Sequence, residues 1–321
     1  MPCPHDERAT LAATFACCHP VLPAPGRVAL TLRTLGGLST AEIARAFLVG
    51  EPAMKQRITR AKQRLRQAAV PLDVPPPGDR DERLSGVLAV LYLIFNEGYA
   101  ASGGHRLTRH DLSEEAIRLA RLLDAAVPAP EARALVALML FHQARAPARE
   151  AADGDGVVLV PLAEQDRTRW DRSVIAEANR LLAGAAAAAG DEAPGPYQLQ
   201  AAIASVHANA ARPEDTRWND IARLYDGLVA VAPTPVLRLN RAVAYGMTAG
   251  PAEGLAQVDA LDGLDGYHLF HATRADLLRR LDRRAEAEAA YRAALSLTAN
   301  PAERRHLERR VAEVSGRAAP A

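Results

Sequence analysis

Apolar residues recur at three- and four-residue spacing along most of the chain, the period of helices with one buried face. The clearest case is residues 37–66, GLSTAEIARAFLVGEPAMKQRITRAKQRLR. Ile43, Ala44 and Phe47 form one inward face, and Met54, Ile58, Ala61 and Leu65 form a second. Ser39 and Glu42 have the spacing of a capping box, which starts the first helix. Leu48, Val49 and Gly50 make the turn, where glycine offers a backbone conformation closed to bulkier residues. Glu51 and Pro52 suit the first turn of the following helix. Residues 6–19 and 24–35 predict two more helices beneath this pair, with Pro20, Pro23 and Pro25 between them.

The pattern then breaks. Residues 71–82, PLDVPPPGDRDE, combine consecutive prolines with charge and predict an extended linker. Residues 83–95 are apolar nearly all round, as a central buried helix would be, with Asn96 and Gly98 as stop residues. Residues 113–126 and 129–145 predict amphipathic helices. Residues 152–165 open on Asp153-Gly154-Asp155-Gly156, read as a turn before the apolar run Val157–Val160. The later ligands of a calcium loop are missing there. Residues 170–189 return to helix.

The C-terminal part repeats. Tyr225, Val258 and Tyr291 are 33 residues apart, as are Leu228, Leu261 and Ala294, and Asn209, Ala242 and Ala275. That step is the period of tetratricopeptide-like helix pairs, and chance periodicity in an alanine-rich helical chain is the alternative. The expected fold is all-α: a helix-turn-helix domain (1–70), a linker (71–82), a helical middle domain (83–192) and a tetratricopeptide-like α-solenoid (193–321).

Charge changes the picture locally. Lys and Arg total 39 against 38 Asp and Glu, so the whole chain is balanced. Between residues 53 and 70 there is no acid, while Lys55, Arg57, Arg60, Lys62, Arg64 and Arg66 crowd the exposed face of the second helix. A capped helix, a turn and a basic second helix describe a DNA reader; a solvated basic face in an ordinary bundle is the bland reading. Cys17, Cys18 and His19 lack the second ligand pair of a zinc site, so no metal and no cofactor is expected. Asp166, Arg167, Trp170 and Asp171 fit a capped helix start with a packed tryptophan, or an anchor for a partner. His268 and His271, one turn apart on an apolar helix, fit packing or hydrogen bonding. Phosphate-loop, dinucleotide, zinc-protease and nucleophile-elbow motifs do not occur, and no enzyme is expected. The polar N-terminus and the shortness of the longest apolar run predict a cytoplasmic protein without a membrane partner.

Several long segments carry a resemblance: FACCHP (15–20), VALTLRTLGGLSTAEIARAFLV (28–49), MKQRITRAKQRLR (54–66), LAVLYLIFNEGYAAS (88–102), EQDRTRWDRSVIAEANRLL (164–182) and GYHLFHATRADLLRRL (266–281). Together they resemble bacterial extracytoplasmic-function RNA polymerase sigma factors, in the subgroup with a long C-terminal helical-repeat extension. The resemblance implies that residues 15–70 read the promoter −35 element and that core RNA polymerase is a partner. By alignment with that family and by their place early on the exposed face, Lys55, Gln56, Thr59 and Arg60 are expected to contact bases. Arg57, Lys62 and Arg64 are expected to hold phosphates. Such factors carry an upstream domain that grips polymerase and melts the −10 element. The sequence starts just before the −35-reading region, so promoter opening by this chain alone is not expected. The extension is expected to take a regulatory protein. Two alternatives remain: a helix-turn-helix regulator with a protein- or ligand-sensing solenoid and no polymerase contact, and an interaction scaffold.

Overall fold

The computed structural model describes residues 4–47, 49–99, 109–153 and 156–316. It is all-α apart from one short hairpin among these residues. The chain divides into two compact units, residues 1–143 and 144–321.

The first unit holds α1 (Pro4–Cys17), α2 (Ala24–Thr34), α3 (Thr40–Ala46), α4 (Glu51–Gln67), α5 (Pro77–Tyr99), α6 (His110–Ala126) and α7 (Pro130–Gln143). Helix α5 begins inside the stretch expected to be a linker. Proline is tolerated at a helix start because its missing N–H would have no partner there. Arg80 Nε donates to Pro75 O at 3.1 Å across that start, and Asp79 occupies the first turn. The boundary expected at 71–82 therefore does not separate two compact units. Helix α5 packs on α1 and α2, with Arg83 Nη2 donating to Phe15 O at 2.9 Å and its guanidinium over the Phe15 ring. Gly98 is no stop residue. A Cβ there would lie 2.4 Å from Ser113 N, so glycine is what lets the end of α5 meet the start of α6. The most completely buried helix is α7, which is enclosed at Ala132 and from Ala134 through Phe141; α5 keeps Leu93 exposed.

The second unit opens with a two-stranded antiparallel hairpin, β1 (Glu150–Asp153) and β2 (Gly156–Leu159), which pairs Ala151 with Val158 and Ala152 with Val157. The apolar run read after the turn is thus the second strand of a hairpin, whose first strand was not expected from sequence. Of the four turn residues named from sequence, Gly154 and Asp155 lie outside the described residues. Then follow α8 (Arg172–Ala189), α9 (Pro196–Asn209), α10 (Trp218–Val231), α11 (Pro235–Thr248), α12 (Pro251–Asp259), α13 (His268–Arg280), α14 (Arg284–Leu297) and α15 (Pro301–Ser315). Consecutive helices pack as pairs. Asn209, Ala242 and Ala275 fall on α9, α11 and α13, while Tyr225, Val258 and Tyr291 fall on α10, α12 and α14. Ala242, Val258, Ala275 and Ala294 are fully enclosed. Helices α11 and α12 touch through glycines, since a Cβ on Gly254 would lie 2.7 Å from Gly246 Cα. Helix α15 closes this end. Asn300 Oδ1 accepts from Ala302 N at 2.9 Å, and Arg305 Nη1 donates to Val157 O at 3.0 Å on the hairpin. His268 has Glu303 Oε2 at 3.2 Å, brought from α15. His271 Nε2 lies 2.8 Å from Asp265 O.

Candidate nucleic-acid interface

Helix α3 starts as its sequence dictates. Ser39 N donates to Glu42 Oε2 at 2.7 Å, and Glu42 N donates to Ser39 Oγ at 3.2 Å. The reciprocal pair satisfies two of the backbone donors a helix start leaves open. Ile43 and Ala44 are buried and Phe47 is half-buried. Leu48 lies outside the described residues. Gly50 does not use its left-handed freedom: at φ −62° and ψ 142° it is an extended N-cap of α4 with no side chain of its own to offer. The glycine that does take positive φ is Gly37, at +65°, between α2 and α3.

Helix α4 is 17 residues long, about 25 Å. Met54, Ile58 and Ala61 are buried and Leu65 half-buried, fixing its inner face against α2 and α3. Its C-terminus closes through a 3.1 Å bond from Val70 N to Leu65 O and a 3.1 Å bond from Ala69 N to Arg66 O. Ala69 adopts φ +47° to make them. Arg64 and Arg66 in the last turn meet the negative end of the helix.

At about 100° per residue, the buried stripe determines what faces out. Gln56, Thr59, Arg60 and Gln63 run along the middle of the outer face, and all four are exposed. Arg57 and Arg64 lie along one edge; Lys55, Lys62 and Arg66 lie along the other. Lys55, expected among the base readers, thus sits on the same edge as Lys62. Gln63 was not singled out from sequence, although the same helical count places it one turn after Thr59 and Arg60. Thr59 Oγ1 donates back to Lys55 O at 2.9 Å, which holds the hydroxyl against the helix. Arg57 is half-buried beside an apolar groove of about 620 Å³ bounded by Phe47, Leu93 and Tyr99. None of the six cations of α4 forms an ion pair with a described residue, so their charge faces solvent.

Cys17 and Cys18 are buried, and burial pushes their thiols up to about 11 and about 12. They stay protonated at neutral pH, and Cys18 Sγ lies 3.7 Å from Thr31 Oγ1, joining the end of α1 to α2. Among the described residues, no helix is long and apolar enough to cross a membrane.

A capped short helix, a turn and a second helix with a polar, positively charged outer face define a helix-turn-helix domain built to meet DNA. Residues 13–65 match the family Sigma-70, region 4, so the chain is sigma-factor-like over α1 to α4. Residues 83–186 match a family of unknown function, DUF6596, whose span runs from α5 into α8 and crosses the division between the compact units. The chain is 46% identical over 301 residues to the uncharacterized protein R00370 of Rhizobium meliloti (strain 1021), covering 93% of this chain and 70% of that protein. It belongs to the same family as that protein. No solved structure matches the chain.

Proposed function

We propose that this protein is an RNA polymerase sigma factor of the extracytoplasmic-function type, which reads promoter −35 DNA through α4 and works with core polymerase in the cytoplasm. The observation that carries this reading is the coincidence of the Sigma-70, region 4 match with a folded helix-turn-helix whose outer helix face is basic and unpaired. In this reading Gln56, Thr59 and Arg60, with Gln63 beside them and Lys55 at the edge, meet base edges in the major groove. Arg57, Lys62 and Arg64 hold the flanking phosphates, which fix register without reading sequence. Base readers in the middle and phosphate clamps at the edges match the way a helix lies in a groove.

The helix pairs from α9 to α15 form a tetratricopeptide-like extension in this account, which regulates the factor or receives a partner. Its 33-residue step between equivalent helices supports that assignment. Co-purification with core polymerase, together with a salt-dependent shift of a promoter duplex, tests the proposal. Binding to DNA without any association with polymerase would favour a free-standing regulator, and binding to neither would leave a scaffold.

A further inference from the structure

The second unit contains a pocket of about 370 Å³ that the DNA-reading role does not use. Its apolar wall comes from α10 and α11, through Trp218, Ile221, Val243 and Met247, and Asn240 adds one amide. Arg167 closes the other side from the 3-10 turn between the hairpin and α8. Asp166 Oδ1 caps that turn, accepting from Thr168 N at 2.9 Å and Thr168 Oγ1 at 2.6 Å.

Arg167 is only 5% exposed. Its Nη1 donates to Ala210 O at 2.7 Å and His207 O at 3.1 Å, and its Nη2 to Thr216 Oγ1 at 3.4 Å. Its Nε is buried with no hydrogen-bond partner. The guanidinium lies 4.8 Å over the ring of Trp170. Every acceptor it meets is neutral. The nearby Asp215 is held by the bidentate fork of Arg212, at 3.1 and 3.2 Å. The carbonyl end of α9 offers roughly half a negative charge, and Arg172 shares it, its Nη1 donating to Ala208 O at 3.3 Å. Burial, together with Arg145 and Arg167, pushes His207 down to about 4, so its imidazole is neutral and adds no positive charge at physiological pH. Glu214 and Asp215 lie near enough to act on the guanidinium, but neither is hydrogen-bonded to it, and burial with Arg145 and Arg172 outweighs them. A buried guanidinium with no carboxylate in contact, lining an aromatic and aliphatic cavity, is an arrangement that an anion completes.

We propose that this pocket binds a small molecule with an apolar, ring-sized body and a single carboxylate, the body lying against Trp218, Ile221 and Val243 and the carboxylate received by Arg167. The volume suits such a ligand, being near the lower end of small-molecule pockets. Both Nη1 hydrogens are used on the carbonyls of α9, so the Nε–H and the remaining Nη2 hydrogen are the donors left for a carboxylate. The site stands independently of the role assigned to α4.

The chain has two tryptophans, Trp170 beneath Arg167 and Trp218 in the pocket wall, so intrinsic fluorescence of the full chain reports occupancy directly. The probes are 4-phenylbutyrate and its uncharged counterpart 4-phenylbutyramide. The acid should give a saturable change and the amide should bind at least tenfold more weakly. Arg167→Met should abolish that preference. Because Arg167 also ties down the end of α9, Val243→Phe provides a second variant that fills the cavity and leaves the arginine in place; it should lose saturable binding while keeping its helical circular dichroism. Equal affinity for acid and amide, no saturable change into the millimolar range, or undiminished binding in Val243→Phe would overturn the proposal. So would saturation by a peptide with a free C-terminal carboxylate when phenylbutyrate gives none.

Discussion

The edges of α4 set a number that solution measurement can reach. Arg57, Lys62 and Arg64 flank the outer face and form no ion pair with a described residue, so each is free to neutralise one phosphate. Changing all three to glutamine keeps good helix formers on α4 and removes three charges. Each phosphate contact contributes about 0.9 to the slope of log K against log salt on duplex DNA. The triple variant should therefore lose about 2.7 from that slope. Over a rise from about 50 to about 200 mM salt, wild-type affinity should fall about 40-fold more than the variant's. Fluorescence anisotropy of a labelled −35 duplex across the salt series measures both slopes. The ratio between preferred and scrambled duplexes should change little, because phosphate contacts carry no sequence information. Identical slopes for the two proteins would refute the placement of these side chains on the phosphates.

Three further outcomes test the scaffold. Ala69→Gly should raise stability by about 1 kcal/mol in urea unfolding, because a left-handed residue with a Cβ closes α4. Gly254→Val should destabilise the second unit by about 1–3 kcal/mol, since its Cβ would meet the backbone of α11 at Gly246 and Ala242; an unchanged midpoint would show that the two helices part easily. His207 is neutral when folded and titrates at about 4 rather than 6.5, so its contribution is fully present above pH 6.5 and is lost as pH falls toward 4. That loss should amount to roughly 3 kcal/mol, read by tryptophan fluorescence in urea, and His207→Gln should flatten that part of the pH profile.

The helices were legible because local pattern and tertiary burial agree over long stretches. In α4 the stripe Met54, Ile58, Ala61 is what the core encloses, and the Ser39–Glu42 capping box forms as its spacing dictates. What failed depended on partners distant in sequence. Pro77 reads as linker chemistry until α1 and α2 supply a surface for the helix it begins. Glu150–Asp153 was given no element from sequence and is a strand through its pairing with Gly156–Leu159, on which α15 packs. Gly98 carries no local sign of the α6 backbone that requires it. The outer face of α4 was legible as basic, and the stripe Met54, Ile58, Ala61 and Leu65 read from sequence already divides it into a middle and two edges; followed through, that count puts Lys55 on an edge and Gln63 in the middle. The cluster around Arg167 was legible as a helix cap or partner anchor, but the cavity beside it was not, because its walls come from α10 and α11, distant in sequence.

The claim that α4 reads promoter sequence is tested most directly by binding to every single-base variant of the preferred −35 duplex, for wild type and for Arg60→Ala. Wild type should discriminate among bases, and Arg60→Ala should lose about 1–3 kcal/mol of that discrimination at one base step while the remaining positions keep theirs. A wild-type profile flat across all variants, or a profile unaltered by Arg60→Ala, would contradict it.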